Sequence, residues 1–457
     1  MRTILHGLGV MLFLLTLSMQ SSVRPDFTTP FAITSTAFTQ VNKIPLDGYT
    51  IIEQAYQDNS AKMALDGDIL AIGFPGQKGE GGVFSSGVVV VFERNQGGAG
   101  NWGVSKVIPN PNNVSMDYFG KDIVLQGTTL AVGMPGYDPG VTDVGSVYIY
   151  ERNQGGAGNW GLRQTILKDN IVGTDWAFQL GYSLALEGDR LAVSAPYRPS
   201  HGYPGRVYFY ERDPEGDGTW SFAEMVADES GSSDFGFGIN IALQNDILAV
   251  GAPRTNWNQG SVQLFQHGLV TPDNWSYVTT VTGNEDYSGF FGQELALQGN
   301  TLAVGAPGFQ HRFGDIAISY GGAAYIFERN QGGSNQWGLV KQFMDEEREF
   351  VDIYLGFAIG LQDDLLLVGY PFKDVLTSSS DTLQRNRGSL YLYDRSTSNP
   401  YQWGPTTPLL NGDGDADDYF GVALAIDGKT LAVIGQGSVY IYERQILYNS
   451  YLPLIKG

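Results

Sequence analysis

One motif recurs seven times. The stretches ALDGDILAIGFP at 64, VLQGTTLAVGMP at 124, ALEGDRLAVSAP at 185, ALQNDILAVGAP at 242, ALQGNTLAVGAP at 296, GLQDDLLLVGYP at 360 and AIDGKTLAVIGQ at 425 share an apolar pair, a short turn and a second apolar run. Their second residues run from Leu65 to Ile426 with a mean period of about 60 residues. So regular a period across nearly the whole chain marks an array of one supersecondary unit. It overrides the several domains that 457 residues would otherwise allow.

Each unit spells four strands. A Phe-Gly or Leu-Gly pair precedes six of the motifs, beginning at Phe119, Leu180, Phe237, Phe291, Leu355 and Phe420, and the run from it to the apolar pair is strand A. Two-residue turns such as Gln-Gly, Glu-Gly and Asp-Gly signal a hairpin, because Gly and Asn tolerate the positive φ these turns need. Strand B, typified by LAVGAP, is continuously apolar and so buried on both faces. Strand C alternates, as in Val147, Tyr148, Ile149 and Tyr150, and usually ends in Glu-Arg. Strand D starts at a tryptophan in six units: Trp102, Trp160, Trp220, Trp275, Trp337 and Trp403. No segment sustains a capped helical period, so the expected class is all-β.

Seven such sheets placed radially make a seven-bladed β-propeller of four-stranded antiparallel blades, which leaves only short, protected edges. The F-G followed by G-A-P at this spacing resembles the FG-GAP repeat of the integrin α-subunit propeller, and the resemblance covers about residues 41–444. It implies an extracellular protein associated with binding and adhesion. It also raises calcium, which integrin-like repeats often hold on an Asp-rich loop between strands A and B. Here that turn is only QG, EG, QN, QD or DG, too short to wrap an ion, so those sites are not carried over.

The chain ends predict how the ring closes. The first unit has Asn59-Ser60 in place of Phe-Gly, and the seventh lacks a tryptophan strand. FTQVNKIP at 38–45 resembles the strand D WGVSKVIP at 102–109, so the N-terminal strand is expected to complete the last blade. The alternative is that the tail at 445–457 supplies that strand and the N-terminal one is a linker. Before it, Arg2, the apolar stretch 4–17 and polar SMQSS at 18–22 read as an export signal, with an uncleaved anchor as the other reading. The expected organisation is therefore a signal at 1–22, a linker at 23–40, the propeller at 41–444 and a tail at 445–457. A secreted or cell-surface product without stable membrane insertion follows.

Composition excludes several chemistries. Lys and Arg number 27 against 48 Asp and Glu, a net charge of −21 that argues against nucleic acid as a partner. The absence of cysteine removes disulfides, thiolate metal sites and cysteine nucleophiles together. Histidine occurs at His6, His201, His267 and His311 only, without H-E-x-x-H or G-x-S-x-G, so no catalytic residues are assigned. One acidic loop, NGDGDADDYFG at 411–421, spaces Asp413, Asp415 and Asp417 alternately and reads either as a Ca2+ site or as a solvated loop between blades. No other cofactor is implied. The recurring Glu-Arg is expected to be a structural ion pair.

Loop variation points to the binding face. The C to D loops are nearly constant (ERNQGGAGNWG twice, ERNQGGSNQWG once), whereas the B to C loops share almost nothing. In a propeller the B to C loops and the D to A connections lie on one face, and variation on one face of a constant scaffold is where recognition is expected. Scarce basic residues fall there: Lys78, Arg198, Arg254, Arg312 and Lys373, with Tyr197, Trp257 and His311 beside them. They form either a ring suited to an anionic glycan or acidic peptide, or a set of unrelated solvated charges. The expected function is a non-catalytic binding or adhesion module for a protein or glycan. A polysaccharide lyase or hydrolase and a structural matrix protein are the rivals.

Overall fold

A computed structural model describes residues 36–446 except 52–59, 141–142, 168–177, 197–204, 214–215, 230–235, 284–288, 310, 314–315, 319–320, 345–353, 378–381, 407 and 436. The expected export signal and most of the tail lie outside the described residues. Seven four-stranded antiparallel sheets form the propeller. In blade 1 they are Lys62–Asp66, Ile69–Phe74, Val88–Arg94 and Trp102–Pro109, in that order from the axis. The innermost strand of every blade lies against that of the next, and the seventh against the first, so the ring is closed.

Local chemistry accounts for the hairpins. Strands A and B are joined by two residues, and the first of them takes a positive φ: Gly67 at 55°, Gly127 at 58°, Asn245 at 52° and Asp363 at 53°. The last side chain of strand A then reaches the next blade. Its oxygen accepts the turn N–H there, as in Asp66 to Gly127, Gln126 to Gly188 (2.8 Å) and Glu187 to Asn245 (2.7 Å), and Asp427 to Gly67 (2.7 Å) carries the link across the closure. Strand B is buried at all six positions in six of the blades, as its unbroken apolar run requires.

The Phe-Gly and Gly-x-Pro elements meet between blades. The glycine before strand C of one blade forms a parallel bridge with the aromatic or leucine of the next pair: Gly87 with Phe119, Gly145 with Leu180, Gly260 with Phe291, Gly322 with Leu355 and Gly388 with Phe420. A Cβ on Gly133 would stand 1.9 Å from the Gly181 carbonyl oxygen, and one on Gly251 would stand 2.1 Å from that of Gly292. Only glycine allows two backbones so close. The Glu-Arg dipeptide also works between blades, since neighbouring residues on a strand point to opposite faces. Arg152 pairs with Glu93 of the preceding blade at 2.6 Å, Arg395 with Glu328 at 2.8 Å, and Arg94 with Glu443 across the closure at 3.0 Å. Arginines at this position also lie over their own blade's tryptophan, as Arg94 over Trp102 at 5.3 Å, Arg212 over Trp220 at 5.7 Å and Arg395 over Trp403 at 4.7 Å.

The N-terminal strand completes blade 7. Thr36–Pro45 pairs antiparallel with Ser438–Ile446, from Thr36 opposite Ile446 to Pro45 opposite Ser438. It begins five residues before the expected boundary at 41. Its register shifts at Gln40/Asn42 opposite Tyr442 and Ile441, the place where five of the other C–D pairs bulge, for example at Val91/Phe92 and Ile149/Tyr150. The same bulge in a strand from the other end of the chain shows that it occupies a true strand D position. Two small hairpins, His311–Phe313 with Ile316–Ile318 and Val375–Thr377 with Thr382–Gln384, sit in the B to C loops of blades 5 and 6 and were not expected from the sequence.

Candidate ligand-binding site

Strand A begins, and strand B ends, on the face that carries the B to C loops and the D to A connections. At its centre the inner strands enclose a cavity of about 430 Å3 lined by residues from six blades. Two levels of side chains build it. The residue after the paired glycine contributes in five blades, with Lys121, Tyr182, Ile239, Gln293 and Phe357. One residue deeper, the radially equivalent position is polar in five blades, with Lys62, Asp122, Ser183, Asn240 and Glu294, and alanine in the other two, Ala358 and Ala423. Constant neighbours hold both levels, because the glycine before them and the strand after them are set by packing between blades.

The deeper level is internally bonded. Lys62 Nζ spans the axis to Glu294 Oε1 at 2.5 Å, and Asn240 Nδ2 donates to Glu294 Oε2 at 3.3 Å. Asp122 Oδ2 accepts from the Ser183 hydroxyl at 2.9 Å and from the Leu184 N–H at 2.8 Å, while Ser183 Oγ itself accepts the Ile241 N–H at 3.2 Å. Desolvation in the pocket wall pushes the Asp122 carboxyl up from the usual carboxylate range, and the Lys62 ammonium and these donors pull it back. At the upper level the Lys121 ammonium lies over the Tyr182 ring at 4.6 Å. The cavity thus combines cations, bonded carboxylates and an aromatic and aliphatic wall, an arrangement suited to holding an amphipathic group.

The structure distributes the residues singled out from the sequence. Arg254 lines the cavity, and Trp257, three residues along the same loop, is 95 % exposed. A run of positive φ at Asn256, Trp257 and Asn258 turns that loop outward. Lys78 is exposed in the blade 1 loop, away from the cavity lining. Lys373 is buried inside blade 6, where its ammonium donates to the Tyr391 hydroxyl at 2.6 Å and lies over the Tyr370 and Tyr391 rings. Tyr197 and Arg198 lie outside the described residues, as do the side chains of His311 and Arg312. His267 packs edge-on against Trp275 at 5.4 Å on the outer part of blade 4, so no described histidine joins the cavity carboxylates.

The acidic loop is tied to the closure. Asp413 pairs with Lys43 of the closing strand at 2.6 Å, which holds the carboxyl below its usual value and raises the lysine. Asp415 accepts from Gln384 at 3.4 Å and Asp417 from Asn386 at 2.9 Å. With three separate partners the carboxylates do not converge, and among the described residues no three metal-ligating side chains do. As arranged, this donor set does not fit a calcium ion, whose six to eight oxygens must face one centre. The residues of the cavity itself, Lys62, Asp122, Ser183, Asn240 and Glu294, were not singled out from the sequence. The available signal was a single column of the repeat alignment, polar five times and alanine twice.

Comparison with known proteins agrees with this architecture. A family model described as FG-GAP repeat matches residues 103–150 and 403–442, each containing one Phe-Gly pair and the strand B that follows it. Integrin alpha-E of Homo sapiens is 26 % identical over 146 residues, which cover 30 % of this chain and 12 % of that protein. Among the described residues no helix is long and apolar enough to cross a membrane. Two segments of the chain thus match the FG-GAP repeat, and the seven-bladed propeller resembles that of an integrin α-subunit.

Proposed function

We propose that this propeller is an exported, non-catalytic binding module of adhesion type that recognises a protein ligand through the face surrounding the axial cavity. The observation that carries the reading is the contrast at equivalent positions. Backbone, turns and bridges repeat from blade to blade, while the residues facing the cavity, Lys121, Tyr182, Ile239, Gln293 and Phe357, differ in charge, size and polarity. Radial symmetry that served stability alone would favour one residue type there. The exposed Trp257 adds an aromatic anchor of the kind that dominates interface energetics. The integrin likeness favours a protein partner, and the apolar segment at 4–17 favours export.

The test is solid-phase binding to a panel of immobilised extracellular proteins and sulfated glycans. Trp257→Ala combined with Ile239→Arg is expected to weaken binding tenfold or more, about the effect of removing an interface hot spot. Substitutions at Thr128 and Asp189, in turns at the opposite end of strand A, are expected to leave it unchanged. Binding that depends on the turn face instead would overturn the assignment. Binding confined to glycans would replace the protein partner, and sugar release from a polysaccharide would replace binding by catalysis.

A further inference from the structure

Resting on that reading, we infer that the segment of the protein ligand received by this face is basic, rich in arginine and lysine, and that Trp257 takes one of its cations on the exposed indole. The charge of the chain is unevenly placed. The seven connections from strand D of one blade to strand A of the next, 46–61, 110–122, 168–183, 228–239, 282–293, 344–358 and 406–422, hold 21 Asp and Glu against three Lys and Arg. They make up 101 of the 457 residues and account for most of the net charge of −21. The B to C loops on the same face nearly cancel, with six acids against seven bases, so the loop cations singled out from the sequence stand among a larger acidic excess. On the opposite face, the A to B turns and C to D loops hold nine acids and one base.

Such a field sets the sign of the partner. A surface dominated by one sign of charge concentrates the opposite sign near it and speeds their encounter. Each connection runs from the outer strand of one blade to the inner strand of the next, so the acidic positions are spread between rim and axis. Asp117 and Asp418 bond inward to Asn110 and Asn411, but Asp47, Glu229, Asp413, Asp415 and Asp417 are exposed. An extended basic segment meets several of these connections at once, which a single cation does not. Trp257 supplies the specific contact. Its loop lies between the connections 228–239 and 282–293 and is pinned to the second, where the Phe290 N–H donates to the Asn258 carbonyl at 2.8 Å and the Phe291 N–H to that of Gln259 at 3.2 Å. Asn256, Trp257 and Asn258 hold positive φ in succession, a strained backbone that leaves the indole 95 % exposed. Strain and exposure both cost stability, and both serve to present an aromatic face rigidly. Indole is the best of the side-chain rings for a cation, and the planar guanidinium of arginine stacks on it.

Three synthetic peptides test this by NMR titration of the full chain: acetyl-Gly-Arg-Arg-Gly-Arg-Arg-Gly-amide and its counterparts with glutamine or glutamate in place of arginine. The arginine peptide is expected to bind at least about tenfold more tightly than the glutamine peptide at about 10 mM salt and to lose that preference at about 1 M, where charges are screened beyond about 3 Å. The glutamate peptide should not bind. Trp257→Ala should weaken the arginine peptide about threefold, the scale of an exposed cation–π contact. Glu80→Gln/Glu229→Gln/Asp415→Asn, all exposed on this face, should weaken it at least about fivefold, and Asp217→Asn/Asp273→Asn/Asp363→Asn on the opposite face by less than about twofold. Equal binding of the arginine and glutamine peptides, no binding of any at millimolar concentration, or equal loss from the two triple variants overturns the inference. Protein-ligand binding that is lost in Trp257→Ala/Ile239→Arg, but is indifferent to salt and to Glu80→Gln/Glu229→Gln/Asp415→Asn, would remove the basic partner and leave the binding face standing. Arginine-selective peptides with protein binding unaffected by Trp257→Ala/Ile239→Arg would do the reverse.

Discussion

The junction between blades 1 and 2 and the junction between blades 7 and 1 do the same work by different means. The first is built from backbone: Gly87 bridges Phe119, and Gly73 lies against the Gly120 carbonyl with no room for a Cβ. The second has no Phe-Gly pair and is built from side chains. Leu46, Ile51 and Ala61 are buried there, Tyr49 stacks on Phe74 at 4.7 Å, and the Leu46 N–H donates to the Gly437 carbonyl at 2.8 Å. Two ion pairs, Arg94 with Glu443 and Lys43 with Asp413, reach across or brace it. A repeated junction can depend on close backbone approach because each blade inherits the same strand geometry. The Glu-Arg ion pair is common to both, Arg152 with Glu93 and Arg94 with Glu443, whereas the closing junction replaces the Phe-Gly contact by side-chain packing.

Three experiments sharpen or break this contrast. The largest effect is expected from deleting the residues before Asp47, which removes Thr36–Pro45 and leaves Ser438–Ile446 as an open edge. The truncated chain should aggregate or lose its cooperative melt, and a melt like that of the full chain would show that the strand closes nothing. Next come matched substitutions at the two kinds of junction. Gly133→Ala, which drives a Cβ into the Gly181 carbonyl, should cost more than about 3 kcal/mol, and Leu46→Ala at the closure about 2.5 kcal/mol, both read by denaturant unfolding. If Gly133→Ala were neutral, close backbone approach would not be what couples the blades.

The smallest effect belongs to Lys43→Met. Lys43 and Asp413 are 39 % and 56 % exposed, so solvent screens their pair and the loss should be about 0.5 kcal/mol or less. The Asp413 carboxyl is lowered in the folded state, so the contribution is present above the ordinary carboxylate pKa of 3.8 and fades as pH falls through the lowered value. Parent and variant should therefore converge in acid and in high salt. A difference that grows in acid would mean that the pair is not what Lys43 contributes.

Much of the scaffold is legible in the chain because it depends on local chemistry repeated in register. Glycine at the A–B turns follows from positive φ, the apolar runs from two-sided burial, and the closing strand from the likeness of 38–45 to 102–109. The Glu-Arg dipeptide was legible as an ion pair but not as one between blades, since which neighbour a side chain meets depends on how sheets stack. Lys373 shows the same gap. Its place among loop cations suggested a surface charge, yet blade 6 folds its ammonium onto Tyr370 and Tyr391.

The sequence by itself therefore determined the blade, the number of blades, and the strand that closes the ring, because each rests on contacts between residues near in the chain or on a pattern repeated at a fixed period. Tertiary structure alone decided the cavity. Lys62 and Glu294 stand 232 residues apart and meet only because the ring brings equivalent positions of different blades to one axis. Which side chains share that axis is something no local rule encodes.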